Sequence, residues 1–161
     1  MFDDLNVVLT VAAALGCGIV AGVFFAFSSF VMAALARLPA GQGIAAMQSI
    51  NVTVLNRGFL SLFVGTGVIG IVAAAIALSD AGEPESILRI AGAALYLIGT
   101  LVVTGARNVP HNDALVKLDS ELPESAAPWA TYVREWTTWN TVRTIAAAVA
   151  AAAFMVGLTL D

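Results

Sequence analysis

The chain has 161 residues, of which 60% are hydrophobic and 11% charged. Soluble domains carry about 25% charged residues, so this composition points to lipid as the main solvent. The net charge of −4 argues against nucleic acid as a partner, because that binding needs a basic face.

The length suits one domain over residues 1–161. Met1-Phe2-Asp3-Asp4 carries no basic residue, and the apolar run behind it is too long for a signal peptide. It reads as a retained transmembrane helix. Residues 5–36 form that first span, without one charged side chain. A helix of this length reaches about 48 Å against about 30 Å of hydrocarbon, so it must tilt or protrude. Its Cys17, alone in the chain, reads as a small packing residue, since one cysteine forms neither an intrachain disulfide nor a multi-cysteine metal site. Gly18 and Gly22 are spaced for close helix–helix approach. Phe24, Phe25, Phe27 and Phe30 form an aromatic ring that suits packing or the deep wall of a ligand slot. Ser28 and Ser29 are expected to bond the carbonyls of the preceding turn.

Residues 37–57 begin with Pro39 and Gly41, which should end the first helix. Ile44, Met47, Ile50 and Val54 then recur at helical spacing, so an amphipathic helix leads into the second span, 58–78. A short acidic turn with Asp80, Glu83 and Glu85 comes next. The third span, 87–106, begins with Arg89 reaching to the headgroups. Residues 107–143 form the longest polar connection, and 144–160 a fourth, alanine-rich span. The expected fold is all-α: an integral membrane four-helix bundle with an amphipathic helix in each polar connection. A faint internal repeat matches Ser49-Ile50-Asn51-Val52-Thr53 with Thr138-Trp139-Asn140-Thr141-Val142.

Six of the seven basic residues, Arg37, Arg57, Arg107, Lys117, Arg134 and Arg143, fall in the connections 37–57 and 107–143. By the positive-inside rule these are cytoplasmic and both termini lie outside a plasma or inner membrane. Three polar clusters thereby share one side: Asn51 to Arg57, Arg107 to Asn112, and Trp136 to Arg143. Arg57, Arg107 and Arg143 read either as interfacial anchors or, beside carboxamides, as forks for an enolate, phenolate or carboxylate. In Asn108-Val109-Pro110-His111-Asn112 the proline is expected to stop the third helix, with the asparagines either capping helix ends or pointing into the mouth of the bundle. His111, the only histidine, suits a general base or an exposed loop position. With so few histidines and cysteines a metal site is not expected. Trp129, Tyr132, Trp136 and Trp139 fall on one helix face, as an aromatic belt or a stacking wall for a flat ligand.

Three stretches carry a resemblance: Met47-Gln48-Ser49-Ile50-Asn51, the run from Asn108 to Leu115, and the run from Trp136 to Arg143. There the chain resembles a domain-of-unknown-function family of four-span membrane proteins grouped with fungal anthrone oxygenases. The resemblance implies a four-helix membrane bundle. For the fungal branch it implies oxidation of a polycyclic anthrone to an anthraquinone by molecular oxygen, with no cofactor, metal or flavin. In this family pattern the asparagines and the proline recur, while the residue at His111 varies. The expected catalytic residues are then His111, Asn112, Asn108 and Arg143, with a carboxylate such as Asp113 or a water as other bases. Trp136, Trp139, Asn140, Asn51, Arg57 and Arg107 would bind a lipophilic aromatic small molecule. Two further readings stand beside the oxygenase. One is a non-catalytic membrane module that binds a lipid, a quinone-like ligand or a partner protein, and its glycine- and alanine-rich faces would also suit a homo-oligomer. The weaker one is a transporter, because no span carries a charge at mid-depth.

Overall fold

The computed structural model describes residues 2–160, so the terminal residues Met1 and Asp161 lie outside the described residues. Four helical rods are long and apolar enough to cross a membrane: Asp4–Leu35, Arg57–Asp80, Pro84–Val116 and Pro123–Gly157. By this criterion the chain is an integral membrane protein. The first rod comprises α1 (Phe2–Ala26), a π-turn (Phe27–Val31) and α2 (Met32–Leu35). A separate helix, α3 (Ala40–Thr53), leads to α4 (Arg57–Ala77), the second rod. The third rod runs from α5 (Pro84–Tyr96) through two π-turns (Leu97–Val102 and Thr104–Asn108) into α6 (Val109–Val116). The fourth rod is dominated by the single helix α7 (Ala126–Gly157).

The rods close a four-membered ring in which α1 and α5 each pack on both α4 and α7. Neighbours run antiparallel: Gly70 meets Ala93, whereas Gly67, earlier in α4, meets Tyr96 and Leu101 further on. Lipid-facing positions are large and apolar, among them Leu15, Ile19, Val68, Ile98 and Ile145, all more than half exposed. A bilayer covers that surface, which water would not.

The buried side chains form two cores. The first lies among the four rods and includes Cys17, Val20, Phe24, Phe63, Tyr96 and Phe154 with several alanines. Cys17 therefore packs as its apolar setting suggested. The second core joins Met32, Ile44, Met47, Leu115, Trp129, Tyr132 and Trp136. It exists because the first, third and fourth rods have 32, 33 and 35 residues, while the second has 24. Helices of more than 30 residues exceed about 45 Å, so they overrun the hydrocarbon. Their overhanging ends enclose α3, and the periodicity read from Ile44, Met47, Ile50 and Val54 is its inward face: Ile44 and Met47 are fully buried.

Several expectations need correction. Pro110 does not stop the third helix, which continues to Val116. An interior proline removes a donor and crowds the carbonyl four residues back. Here the π-turn just before it widens the coil, with the Val109 N–H reaching back five residues to Thr104 O. The residues from Asp113 on thus extend the third rod and do not begin a new helix. Arg89 does not extend to the headgroups but is 2% exposed, packed near Gly157. The two halves of the faint repeat have different settings: Ser49 to Thr53 ends α3, whereas Thr138 to Val142 lies inside α7. Ser29 bonds the Phe25 carbonyl at 2.6 Å as expected, but Ser28 turns to α7 instead. Phe25 and Phe30 face outward, so the phenylalanine ring is split.

The close approach in the first span is made by Gly16. A Cβ there would collide with the Thr66 hydroxyl of α4, whereas Cβ atoms at Gly18 and Gly22 would meet nothing within 4 Å. Gly16→Val is therefore expected to destabilise the fold by about 1–3 kcal/mol. Gly18→Val should stay within about 0.5 kcal/mol of the parent. Thermal unfolding in detergent checks this, and equal losses for the two variants would refute the assigned helix contact.

Candidate functional site

Where the two cores meet, α7 carries Asn140 and Arg143, one helical turn apart, so their side chains share a face. Asn140 is 0% exposed. Its Nδ2 donates to Phe24 O and to Ser28 Oγ, both at 2.7 Å. Its Oδ1 accepts from Arg143 Nε at 3.1 Å and Nη2 at 2.8 Å. Every hydrogen-bonding atom of this carboxamide is thus engaged.

Arg143 is 6% exposed. Besides Asn140 it donates through Nη1 to Thr104 Oγ1 at 3.1 Å. Its guanidinium lies 4.0 Å from the Phe24 ring centre and 5.1 Å from that of Trp136. Among the described residues no carboxylate pairs with it. A buried cation is normally paired, because taking the charge out of water costs several kcal/mol per ion. Here only neutral oxygens and aromatic faces hold it. Three of its five N–H donors are engaged, which leaves two for another acceptor.

A polar stripe on the third rod faces α7. Thr100, Thr104, Asn108 and Asn112 recur every four residues. In an α-helix that spacing drifts by about 40° per step. The π-turns take up the drift and hold all four side chains toward α7. Asn108 Nδ2 donates to Trp136 O at 3.2 Å, while its Oδ1 is buried without a partner. Asn112 Oδ1 accepts from Tyr132 Oη at 3.0 Å and from Trp136 Nε1 at 2.8 Å. Neither asparagine caps a helix end as one reading expected; Asn56, outside that run, is the cap of α4 and accepts from Phe59 N at 3.0 Å. Asn51 adds another orphaned group, its Nδ2, buried without a partner.

Beside this seam lies an open groove of about 430 Å³ between α6 and the start of α7. Leu115, Leu118 and Pro128 make its apolar lining, and His111, Tyr132 and Glu135 its polar one. His111 Nε2 is 3.2 Å from Glu135 Oε2. Tyr132 also stacks on Trp136, with ring centres 6.3 Å apart, and Trp136 adjoins Arg143. One aromatic pair thus separates the groove from the buried cation.

The structure brings together Asn108, Asn112, Trp136, Asn140 and Arg143, with His111 at the edge of the groove. Asn51 lies beside Tyr132, and the structure sets Arg57, Arg107 and Trp139 apart. Arg57 is exposed at the start of α4, and Arg107 is exposed with its guanidinium 4.6 Å from the Trp139 ring centre. Trp139 is half-buried beside it, away from the stacked row Trp129, Tyr132 and Trp136. That row is core packing, with Trp136 also against Phe27, so it is not a vacant slot.

The sequence pointed to no site role for Thr104 or Gln48, to Ser28 only as a partner of its own helix, and to Glu135 only as one carboxylate of an unfavoured metal site. Gln48 Nε2 donates to Leu115 O and Leu118 O at 3.0 and 3.1 Å, tying α3 to the last turn of α6 and the residues just after it. A glutamine on the buried side of an amphipathic helix was the available signal. Among the described residues no three His, Cys, Asp or Glu side chains converge in a metal-binding group.

No curated protein and no solved structure matches the chain. A family model described as anthrone oxygenase matches residues 52–153, which takes in the groove, the polar stripe and Arg143. That match covers well over half of the sequence, and the chain belongs to the anthrone oxygenase family.

Proposed function

We propose that this protein is a cofactor-independent oxygenase-like membrane enzyme that oxidises a flat, enolisable, anthrone-like aromatic with molecular oxygen. The observation that carries the reading is Arg143, a buried guanidinium without a carboxylate partner among the described residues. Such a cation favours a reaction that builds negative charge beside it, because a fixed charge in a low-dielectric site needs no reorganisation. An anthrone becomes an enolate when a base removes one proton of its CH₂ group. The enolate passes one electron to O₂, and the resulting radical and superoxide combine into a peroxide. Loss of the second C–H proton with cleavage of the O–O bond leaves the ketone and releases water.

The groove suits the substrate by size, since small-molecule sites measure about 300–1,000 Å³. Leu115, Leu118 and Pro128 would hold the rings, Tyr132 would border them, and Asn112 would fix Tyr132 and Trp136. His111 would complete the polar lining, while Asn108 and Asn140 stand behind it, bonded to Trp136 O and to Arg143. The excess of Lys and Arg at this end of the bundle supports a cytoplasmic location for the groove, with both termini outside.

Oxygen uptake by metal-stripped protein in detergent, given the simple anthrone dithranol, tests the reading. Uptake above the spontaneous rate is expected, with a loss of at least about tenfold in Asn112→Ala. Equal rates in parent, variant and empty micelles would remove anthrones as substrates and favour a non-catalytic binding module.

A further inference from the structure

We propose that Glu135 is the proton-accepting base of the groove and that His111 is its positioning residue. The assignment rests on the oxidation reading above and names the group that starts it. Three titratable side chains line the groove: His111, Tyr132 and Glu135. The Tyr132 hydroxyl donates to Asn112 Oδ1. His111 Nδ1 lies 2.6 Å from Arg107 O, and a carbonyl only accepts, so Nδ1 carries a proton. Nε2 faces Glu135 Oε2 at 3.2 Å. A proton on Nε2 would make this contact an N–H···O bond to the carboxylate.

Both imidazole nitrogens are therefore occupied, and neither meets a ligand in the groove. The carboxylate of Glu135 keeps unshared lone pairs. Arg134 Nη2 stands 3.5 Å from its Oε1, so the carboxylate is held from both sides. Asp113, the carboxylate beside the polar stripe in sequence, is exposed and does not line the groove. In the assigned step a C–H bond of the ligand breaks, its proton goes to Glu135, and the electron pair stays on the ligand as an enolate. The His111 N–H fixes the carboxylate and compensates its charge.

The test separates proton abstraction from oxidation: deuterium exchange from D₂O into the dithranol CH₂ group, without oxygen, monitored by NMR. Parent protein should exchange faster than empty micelles, and Glu135→Gln should lose about 100-fold or more of that rate. His111→Phe should lose about tenfold in kcat with KM unchanged, whereas His111→Gln, which keeps an N–H for the carboxylate, should recover most of the loss. Nitrogen-15 NMR of the single histidine should show Nδ1 protonated in the parent. Exchange in Glu135→Gln within about threefold of the parent overturns the assignment, as does a loss in His111→Phe as deep as that in Glu135→Gln. Glu135-dependent exchange without oxygen uptake would remove the oxidation and leave the base standing. Exchange no faster than in empty micelles overturns both.

Discussion

Arg143→Ala should lower the turnover of an anthrone-like probe by about tenfold or more, less than the loss of a donor in direct contact with the oxyanion, because Tyr132 and Trp136 stand between it and the groove. The size comes from the setting. The guanidinium is 6% exposed, so little water screens it, and no carboxylate among the described residues cancels its charge. Its field therefore reaches a developing enolate beyond the Tyr132–Trp136 pair at far more than its worth in water. The substitution should act on kcat more than on KM, since the neutral substrate gains little from the cation. Arg143→Lys should fall between parent and alanine variant. An ammonium keeps the charge but cannot present the fork that now grips Asn140 Oδ1 with two N–H groups. Steady-state oxygen uptake decides, and an alanine variant within about threefold of the parent would end the proposed role of Arg143.

The largest expected effect on stability is at Asn140. Asn140→Leu should destabilise the fold by about 3–5 kcal/mol, the range for stripping a buried charge of its partner. The leucine would leave Phe24 O and Ser28 Oγ without their donor and Arg143 without the oxygen that takes two of its N–H groups. Breaking a buried charge's contacts costs more than removing the charge together with its partner. The double variant Asn140→Leu, Arg143→Met should thus regain at least half of the loss, a strong departure from additivity. Thermal unfolding of the two single variants and the double variant in detergent measures this. Additive losses would show that Asn140 acts through α1 alone and that its bonds to Arg143 contribute little.

Much of the fold was legible because lipid imposes a simple rule: a long uncharged run must be a helix that satisfies its own backbone. The four rods, the inward face of α3 and the row Trp129, Tyr132 and Trp136 all come from hydropathy and spacing. The Asn140–Arg143 contact was legible too, since residues three apart on a helix meet. Contacts between rods were not. Nothing in the sequence tells that Ser28 sits against Asn140, or that Glu135 reaches His111 from 24 residues away. Pro110 misled because its usual meaning assumes 3.6 residues per turn, and the winding just before it differs. Arg57 and Arg107 looked equivalent to Arg143 because each stands near a carboxamide, but only Arg143 has that carboxamide on its own helix face. The alanine-rich stretch of α7 did foretell close packing: Ala147 and Ala150 are fully buried, and Gly99 of the third rod lies tight against Ala146.

The winding at Thr104–Asn108 also bears on how chains of this architecture can differ in length. A π-turn is, in effect, an α-helix that has taken in one residue without rotating the turns beyond it. Gly105 sits in that turn, and a Cβ there would meet nothing within 4 Å. A chain lacking one residue at this point would return to ordinary winding and still aim Asn112 and Leu115 at α7. A one-residue gap here is thus neutral to the faces the helix presents. The same gap between Asn112 and Leu115, where the coil is regular, would turn Leu115 by about 100° and pull it out of the second core.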